Sequence, residues 1–256
     1  MHYLSHRLTG KGRHGIHSPF VFELVSRVFS DRAPYPAYPK VEAVRKRMLA
    51  DDRVIRVTDL GAGSRENNST QRSIKDICRH AEKNKKYGQL LFRLARYFKP
   101  AVIFDLGTSL GVTTLYLSEG NPAGHVVTIE GCPETAAAAR ANFKAFGASN
   151  IMACTGNFDE VLQPLLHQHA SPAPRLFFFD GNHRKVPTLH YFEQCLSCAG
   201  NDDVFVFDDI RWSDEMLAAW EAVASHPRVT VTLDLFFMGI VFIRKEQARE
   251  RFRIRF

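Results

Sequence analysis

AVIFDLGTSLGVTTLYLSEGNPAGHVVTIEG, residues 101–131, decides how the rest of the chain is read. Its opening reads as a buried strand over 101–106, followed by a turn held by Gly107 and Gly111 and a short helix. A second strand then ends on Glu130, which completes the first half of a nucleotide-binding βαβ unit. Gly107 can take a backbone conformation closed to other residues, and Gly111 lets the chain turn tightly into the helix, so ligand atoms can approach bare backbone. Asp105 sits at the carboxyl end of the first strand, and Glu130 closes the next, where an acid commonly accepts hydrogen bonds from two ribose hydroxyls. The Gly-x-x-x-Gly spacing is not Gly-x-Gly-x-x-Gly, which disfavours nicotinamide and flavin cofactors.

After this stretch the alternation repeats. Strands are expected at 101–106, 125–130, 150–155, 175–180, 203–208, 229–235 and 239–244, with helices between the first six. The last two are separated by too few residues for a crossover, so they must form a hairpin. A mainly parallel α/β sheet with one antiparallel strand follows, with helices on both faces.

The composition fits that reading. At 256 residues, with 45% hydrophobic and 24% charged, the chain is long enough for one large domain or a domain with an appendage. No apolar run approaches the roughly 20 residues that span a bilayer, and the basic opening MHYLSHRLTGKGRHG lacks the apolar core of a secretory signal. Five cysteines without regular spacing point to reduced thiols and a cytoplasmic setting. Cys195 and Cys198 form a lone Cys-x-x-Cys with no second pair to complete a zinc site. Charge is uneven: residues 1–100 carry 21 Lys+Arg against 9 Asp+Glu, and residues 101–244 carry 8 against 16. Such a basic front half can steer an anionic substrate, a nucleic acid or a membrane surface, or simply be a solvated face.

Before residue 100 the pattern is less regular. GIHSPFVFELVSRVF, residues 15–29, opens a helix in which Ser18 caps, Pro19 suits the first turn, and Phe20, Leu24 and Val28 share a face. Three prolines in DRAPYPAYPK, residues 31–40, require a loop or extended connector, and a basic helix follows. RVIRVTDLGAGS, residues 53–64, contains a second glycine turn at 59–64. It reads as a decoy, since the polar RENNSTQRS follows it and HAEKNKKYG, residues 80–88, stands where an acid-ended strand belongs.

In an open α/β sheet ligands sit beyond the carboxyl ends of the strands. Asp105, Glu130, the turn at Gly156, Asn157 and Phe158, Asp180, and the pair Asp208 and Asp209 all fall there. Three carboxylates on neighbouring strand ends, Asp180, Asp208 and Asp209, would repel unless a cation or protons intervened. They form an oxygen-rich set suited to a hard divalent cation such as magnesium.

FDLGTSLGVTTLYLS followed by VVTIEG resembles the first two motifs of class I S-adenosylmethionine-dependent methyltransferases. KKYGQLLFRLARYFKP, residues 85–100, resembles the helix leading into that motif in the catechol and caffeoyl-CoA O-methyltransferase group. FFFDGNH and FDDIRWS resemble that group's metal-binding turn, Asp-x-x-Lys, and its Asp-Asn-Val-x-Trp segment, with His183 in place of the basic lysine and Asp209 in place of asparagine. The resemblance spans about residues 86–245. It implies a Rossmann-like methyltransferase fold of seven strands in the order 3-2-1-4-5-7-6, a methyltransferase domain over 86–256, and a mainly helical N-terminal extension over 1–85 serving as lid or acceptor side.

It also implies S-adenosyl-L-methionine held by Asp105, Gly107, Thr108, Ser109, Gly111, Glu130, Asn157, Phe158 and Asp180. Asp180, Asp208 and Asp209 would be the ligands of a Mg2+ ion, and His183 with Asp180 would carry catalysis. The expected reaction is O-methylation of a small-molecule hydroxyl, in which His183 takes the proton. A homodimer is allowed. An RNA or protein methyltransferase using the basic N-terminal region is an alternative, although DGNH is not the Asn/Asp-Pro-Pro-aromatic motif of base amino methylation. A non-catalytic cofactor-binding module is another.

Overall fold

Every residue of Val102–Leu106 is buried, as expected of a strand covered on both faces by helices. The computed structural model describes residues 3, 6, 8, 10, 12, 15–58, 61, 69–170 and 174–256. Ahead of this strand lie the helices α1 (Pro19–Leu24), α2 (Ala37–Met48), α3 (Ile74–His80) and α4 (Lys85–Phe98), with a short antiparallel ribbon of β1 (Val54–Arg56) and β2 (Gln71–Ser73). The chain then alternates β3 (Val102–Leu106), α5 (Val112–Gly120), β4 (His125–Glu130), α6 (Pro133–Phe146), β5 (Ile151–Thr155), α7 (Phe158–Gln168), β6 (Arg175–Phe179), α8 (Lys185–Ser197), β7 (Val204–Phe207) and α9 (Asp214–Ser225). It ends on β8 (Val231–Asp234), β9 (Gly239–Phe242) and β10 (Glu250–Arg253).

The main sheet runs β5-β4-β3-β6-β7-β9-β8-β10, with β9 antiparallel to both neighbours and every other pair parallel. The first seven strands follow the expected 3-2-1-4-5-7-6 order. The sheet has eight strands rather than seven. In Glu250–Arg253 only Phe252 is buried, so this edge strand has none of the apolar alternation that marks the others. The ribbon at Val54–Arg56 and Gln71–Ser73 also went unread, because three polar or half-exposed residues a side carry no strand pattern. Of the glycine turn at 59–64, only Gly61 falls within the described residues.

Side-chain alternation divides the interior. Ile103, Leu176, Phe178, Val204 and Val206 face a cluster with α1 and α4, while Phe104, Phe177, Phe179, Phe205 and Phe207 face the opposite layer. Strand register stacks the phenylalanines across that second face, Phe104 on Phe177 at 5.3 Å, Phe177 on Phe205 at 4.9 Å and Phe179 on Phe207 at 4.5 Å between ring centroids. This ladder fixes β3, β6 and β7 side by side, and with them the loops that carry the acids.

At the N-terminal end the expected helix forms. Ser18 accepts the Val21 amide, Pro19 opens the first turn, and Phe20 packs edge-on against Phe242 at 4.9 Å. The helix continues through a π turn over Val25–Phe29, and His17 is exposed. All five cysteines are free thiols. No helix among the described residues is long and apolar enough to cross a membrane.

Candidate active site

The turn after β3 is shaped by a position that only glycine fills. Gly107 has φ +117°, and a Cβ there would run into the Asp180 carbonyl oxygen. The turns after β3 and β6 therefore rest directly on one another. Both Gly107 and Thr108 donate their amides to the Ile129 carbonyl at 3.1 Å, which ties the same turn to β4.

Glu130 completes the tie. One carboxylate oxygen accepts the Ser109 amide at 2.9 Å and the other accepts the Cys132 amide at 2.9 Å. Glu82, which sequence reasoning missed, is buried and accepts the Leu110 amide at 2.7 Å just ahead of α5. An acid here suits the positive end of that helix. Burial nevertheless pushes its carboxyl up, against the amide bonds and the nearby Arg45.

Asp105 lies behind the turn rather than on its open face. It is fully buried, and one oxygen accepts the Thr114 and Thr128 hydroxyls at 2.6 and 2.8 Å. The other finds no hydrogen-bond partner among the described residues. Burial pushes the Asp105 carboxyl up to about 7, outweighing both threonines.

A cavity of about 540 Å³ opens beyond the strand ends. Of the residues expected around a cofactor, Gly107, Ser109, Glu130, Asn157, Phe158 and Asp180 line it; Asp105, Thr108 and Gly111 do not. His183, Asp209 and Trp212 also face it, and the far wall comes from the N-terminal region through Thr58, Arg72, Asp76, Ile77 and His80. Backbone strain concentrates here. Six described non-glycine residues have positive φ, and Ser109, Asn182, His183 and Asp209 among them all line this cavity. Such conformations persist where the surroundings over-determine them, and they gather at functional sites.

The acids are arranged differently from a three-carboxylate set. Asp180, His183 and Asp209 each offer a ligand atom, all within 4.8 Å of one another, and His183 Nε2 stands 3.8 Å from Asp180 Oδ1. Asp208 is fully buried and does not line the cavity; its carboxylate pairs with Lys83, whose ammonium is also 3.5 Å from Asp209 Oδ1. Burial raises the Asp180 and Asp209 carboxyls, and the Asp208 charge raises them further while Lys83 opposes. For Lys83, burial works against the charged form, but Asp208, Asp180 and Asp209 override it and hold the ammonium protonated.

The divalent cation that a three-carboxylate set implies therefore does not fit these residues. One carboxylate is already matched by a lysine, and the same ammonium stands against a second. The Lys83 ammonium, 3.5 Å from Asp209 Oδ1, works against a divalent ion on that carboxylate. Lys83 sits in EKNKKYG, where the charge run reads as solvated surface and no periodicity betrays a buried ammonium.

Residues 104–210 match a family described as a methyltransferase domain. Over that span the chain is similar to methyltransferase domains. A catechol O-methyltransferase of Niastella koreensis is 29% identical over 125 residues, 48% of this chain and 55% of the relative. A transmembrane O-methyltransferase of Propithecus coquereli is 34% identical over 85 residues, 32% of this chain and 31% of that protein. The chain thus spans about half the length of the first of these methyltransferases and less of the second.

Among solved structures, an O-methyltransferase from Bacillus cereus in complex with SAH superposes with TM-score 0.59 at 20% identity, covering 87% of this chain and 97% of that one. The O-methyltransferase TomG from Streptomyces achromogenes gives 0.57 at 17% identity, covering 83% and 91%. At such identities the superpositions speak for the fold. Together with the family match and the relatives, they bear out the resemblance to class I methyltransferases of the catechol and caffeoyl-CoA O-methyltransferase type.

Proposed function

We propose that this protein is an S-adenosyl-L-methionine-dependent O-methyltransferase acting on a small-molecule hydroxyl. The observation that carries the reading is a single cavity lined both by Gly107, Ser109 and Glu130 and by Asp180, His183 and Asp209. The named methyltransferase relatives and the SAH-bound structural neighbour support the same choice of cofactor.

When bound, the cofactor supplies a sulfonium methyl group open to in-line displacement. Glu130 and the bare backbone at Gly107 would hold its ribose and methionine parts and Asn157 and Phe158 its adenosine, a reading supported by the presence of all four on the cavity lining. With the cofactor bound, these residues would hold an acceptor hydroxyl for attack on its methyl group, the cofactor leaving as S-adenosylhomocysteine, and His183 Nε2 would take the hydroxyl proton. The chain's main work is to hold nucleophile, carbon and leaving sulfur in line. Magnesium assistance is not part of this reading, because Lys83 already pairs with Asp208. Residues 1–85 are assigned to an extension on the acceptor side, supported by Thr58, Arg72, Asp76 and His80 on the cavity wall. A small acceptor suits a cavity of about 540 Å³ better than a nucleic acid does.

Calorimetry with S-adenosylhomocysteine tests the cofactor reading, and absence of binding would overturn it. Transfer of labelled methyl to a panel of phenols and alcohols tests the reaction. His183→Gln is expected to lower the turnover by about a hundredfold or more while leaving S-adenosylhomocysteine affinity within about twofold. Unchanged turnover would remove His183 from the proton-accepting role.

A further inference from the structure

Lys83 belongs to no recognised motif of the fold, yet its position is built. The residue before it, Glu82, is anchored on the Leu110 amide at 2.7 Å, and the residue after it, Asn84, caps α4 by accepting the Tyr87 amide at 3.2 Å. Held between two fixed neighbours, the Lys83 side chain is only 13% exposed and delivers its ammonium to Asp208 and Asp209. Neither Lys83 nor Asp208 lines the cavity, whereas Asp209 does, so the ion pair lies just behind the cavity wall.

We propose that Lys83 is a tethered cation that stands in for a divalent metal at this site, holding Asp208 and Asp209 so that Asp180, Asp209 and His183 serve the acceptor without a bound metal ion. This also accounts for Asp209 in a place where an asparagine is expected. Two adjacent carboxylates at the end of one strand need a shared positive charge, and Lys83 reaches both. Lys83 is a positioning residue: it acts through Asp209 and does not face the cavity. The inference rests on the methyltransferase reading and extends it to how the site manages charge.

The test is Mn2+ binding to the full chain, followed by electron paramagnetic resonance with and without S-adenosylhomocysteine, for the wild type, Lys83→Arg and Lys83→Ala. Wild type and Lys83→Arg are expected to leave the free-ion spectrum unchanged. Lys83→Ala, which removes the cation and leaves the acids, is expected to bind Mn2+ at least about tenfold more tightly; a purely structural role for Lys83 would produce no such gain. Stoichiometric Mn2+ uptake by the wild type, or equal affinity in all three proteins, overturns the proposal. Should Lys83→Ala fail to fold, Lys83→Gln takes its place in the same comparison, with the same tighter Mn2+ binding expected and equal affinity again overturning the proposal. Calorimetry with S-adenosylhomocysteine on the same samples keeps the two readings apart. Absent cofactor binding strikes the methyltransferase reading, whereas Mn2+ taken up by cofactor-bound wild type strikes only this one.

Discussion

Glu130 accepts the Ser109 amide at 2.9 Å, so the acid proposed to receive ribose hydroxyls also braces the turn proposed to cradle the rest of the cofactor. Its second oxygen does the same for Cys132. On that proposal, cofactor affinity and turn geometry are coupled through one side chain.

Glu130→Ala removes both amide acceptors and is expected to weaken S-adenosylhomocysteine binding at least about tenfold and to cost about 1–3 kcal/mol of stability. Glu130→Gln keeps one carbonyl acceptor and should fall between. Calorimetry and urea unfolding check both effects, and wild-type affinity in Glu130→Ala would exclude a role at the ribose.

Gly107→Ala combines a disfavoured φ with a collision against the Asp180 carbonyl, so it should destabilise by about 2 kcal/mol or more and abolish cofactor binding. Gly147→Ala is the matched control. That position has φ +82° and open space where the Cβ would go, so only the left-handed strain applies, about 1–2 kcal/mol. Equal costs in urea unfolding would mean that the two turns separate without penalty.

Asp105 makes stability depend on pH. Its folded value of about 7 lies above the ordinary 3.8, so the folded protein binds the extra proton between those limits. The contribution is fully present below about pH 4 and is lost as pH rises through 7. Asp105→Asn is expected to flatten the fall of the urea midpoint between pH 5 and pH 8 relative to wild type. An identical slope in both proteins would place the proton elsewhere.

Lys83→Met strands the Asp208 carboxylate in the interior and should cost about 3–5 kcal/mol, much of which Asp208→Asn in the same chain should restore. A double-mutant cycle in urea is expected to give a coupling above about 2 kcal/mol. Additive effects would show that the two groups do not depend on each other.

Much of this was legible because of how it is buried. Strands covered on both faces must be apolar along their whole length, so β3, β6 and β7 announce themselves, and an acid at the end of each stands out. The glycine of the first turn is equally visible, because no other residue takes that backbone conformation beside the Asp180 carbonyl. Lys83 and Glu82 were hidden for the opposite reason. Their burial is created by long-range packing of the segment before α4 against strand ends more than 20 residues away in sequence, and nothing local in EKNKKYG distinguishes an inward ammonium from a solvated one. The same gap explains why Asp105, at the right place along its strand, lies behind the cofactor turn: strand position is readable, but which side of a turn a carboxylate takes is set by Thr114 and Thr128.

Glu250–Arg253 pairs with β8 at the edge of the sheet, with Arg253 exposed and Arg251 bound to Glu221 and Ser225 of α9. Guanidinium groups along a terminal strand discourage a second copy from docking there and prolonging the sheet. Cutting the chain before Glu250 would bare the apolar β8 without that guard. The shortened protein should then favour self-association into β-rich aggregates, a hazard that four residues at the rim hold in check.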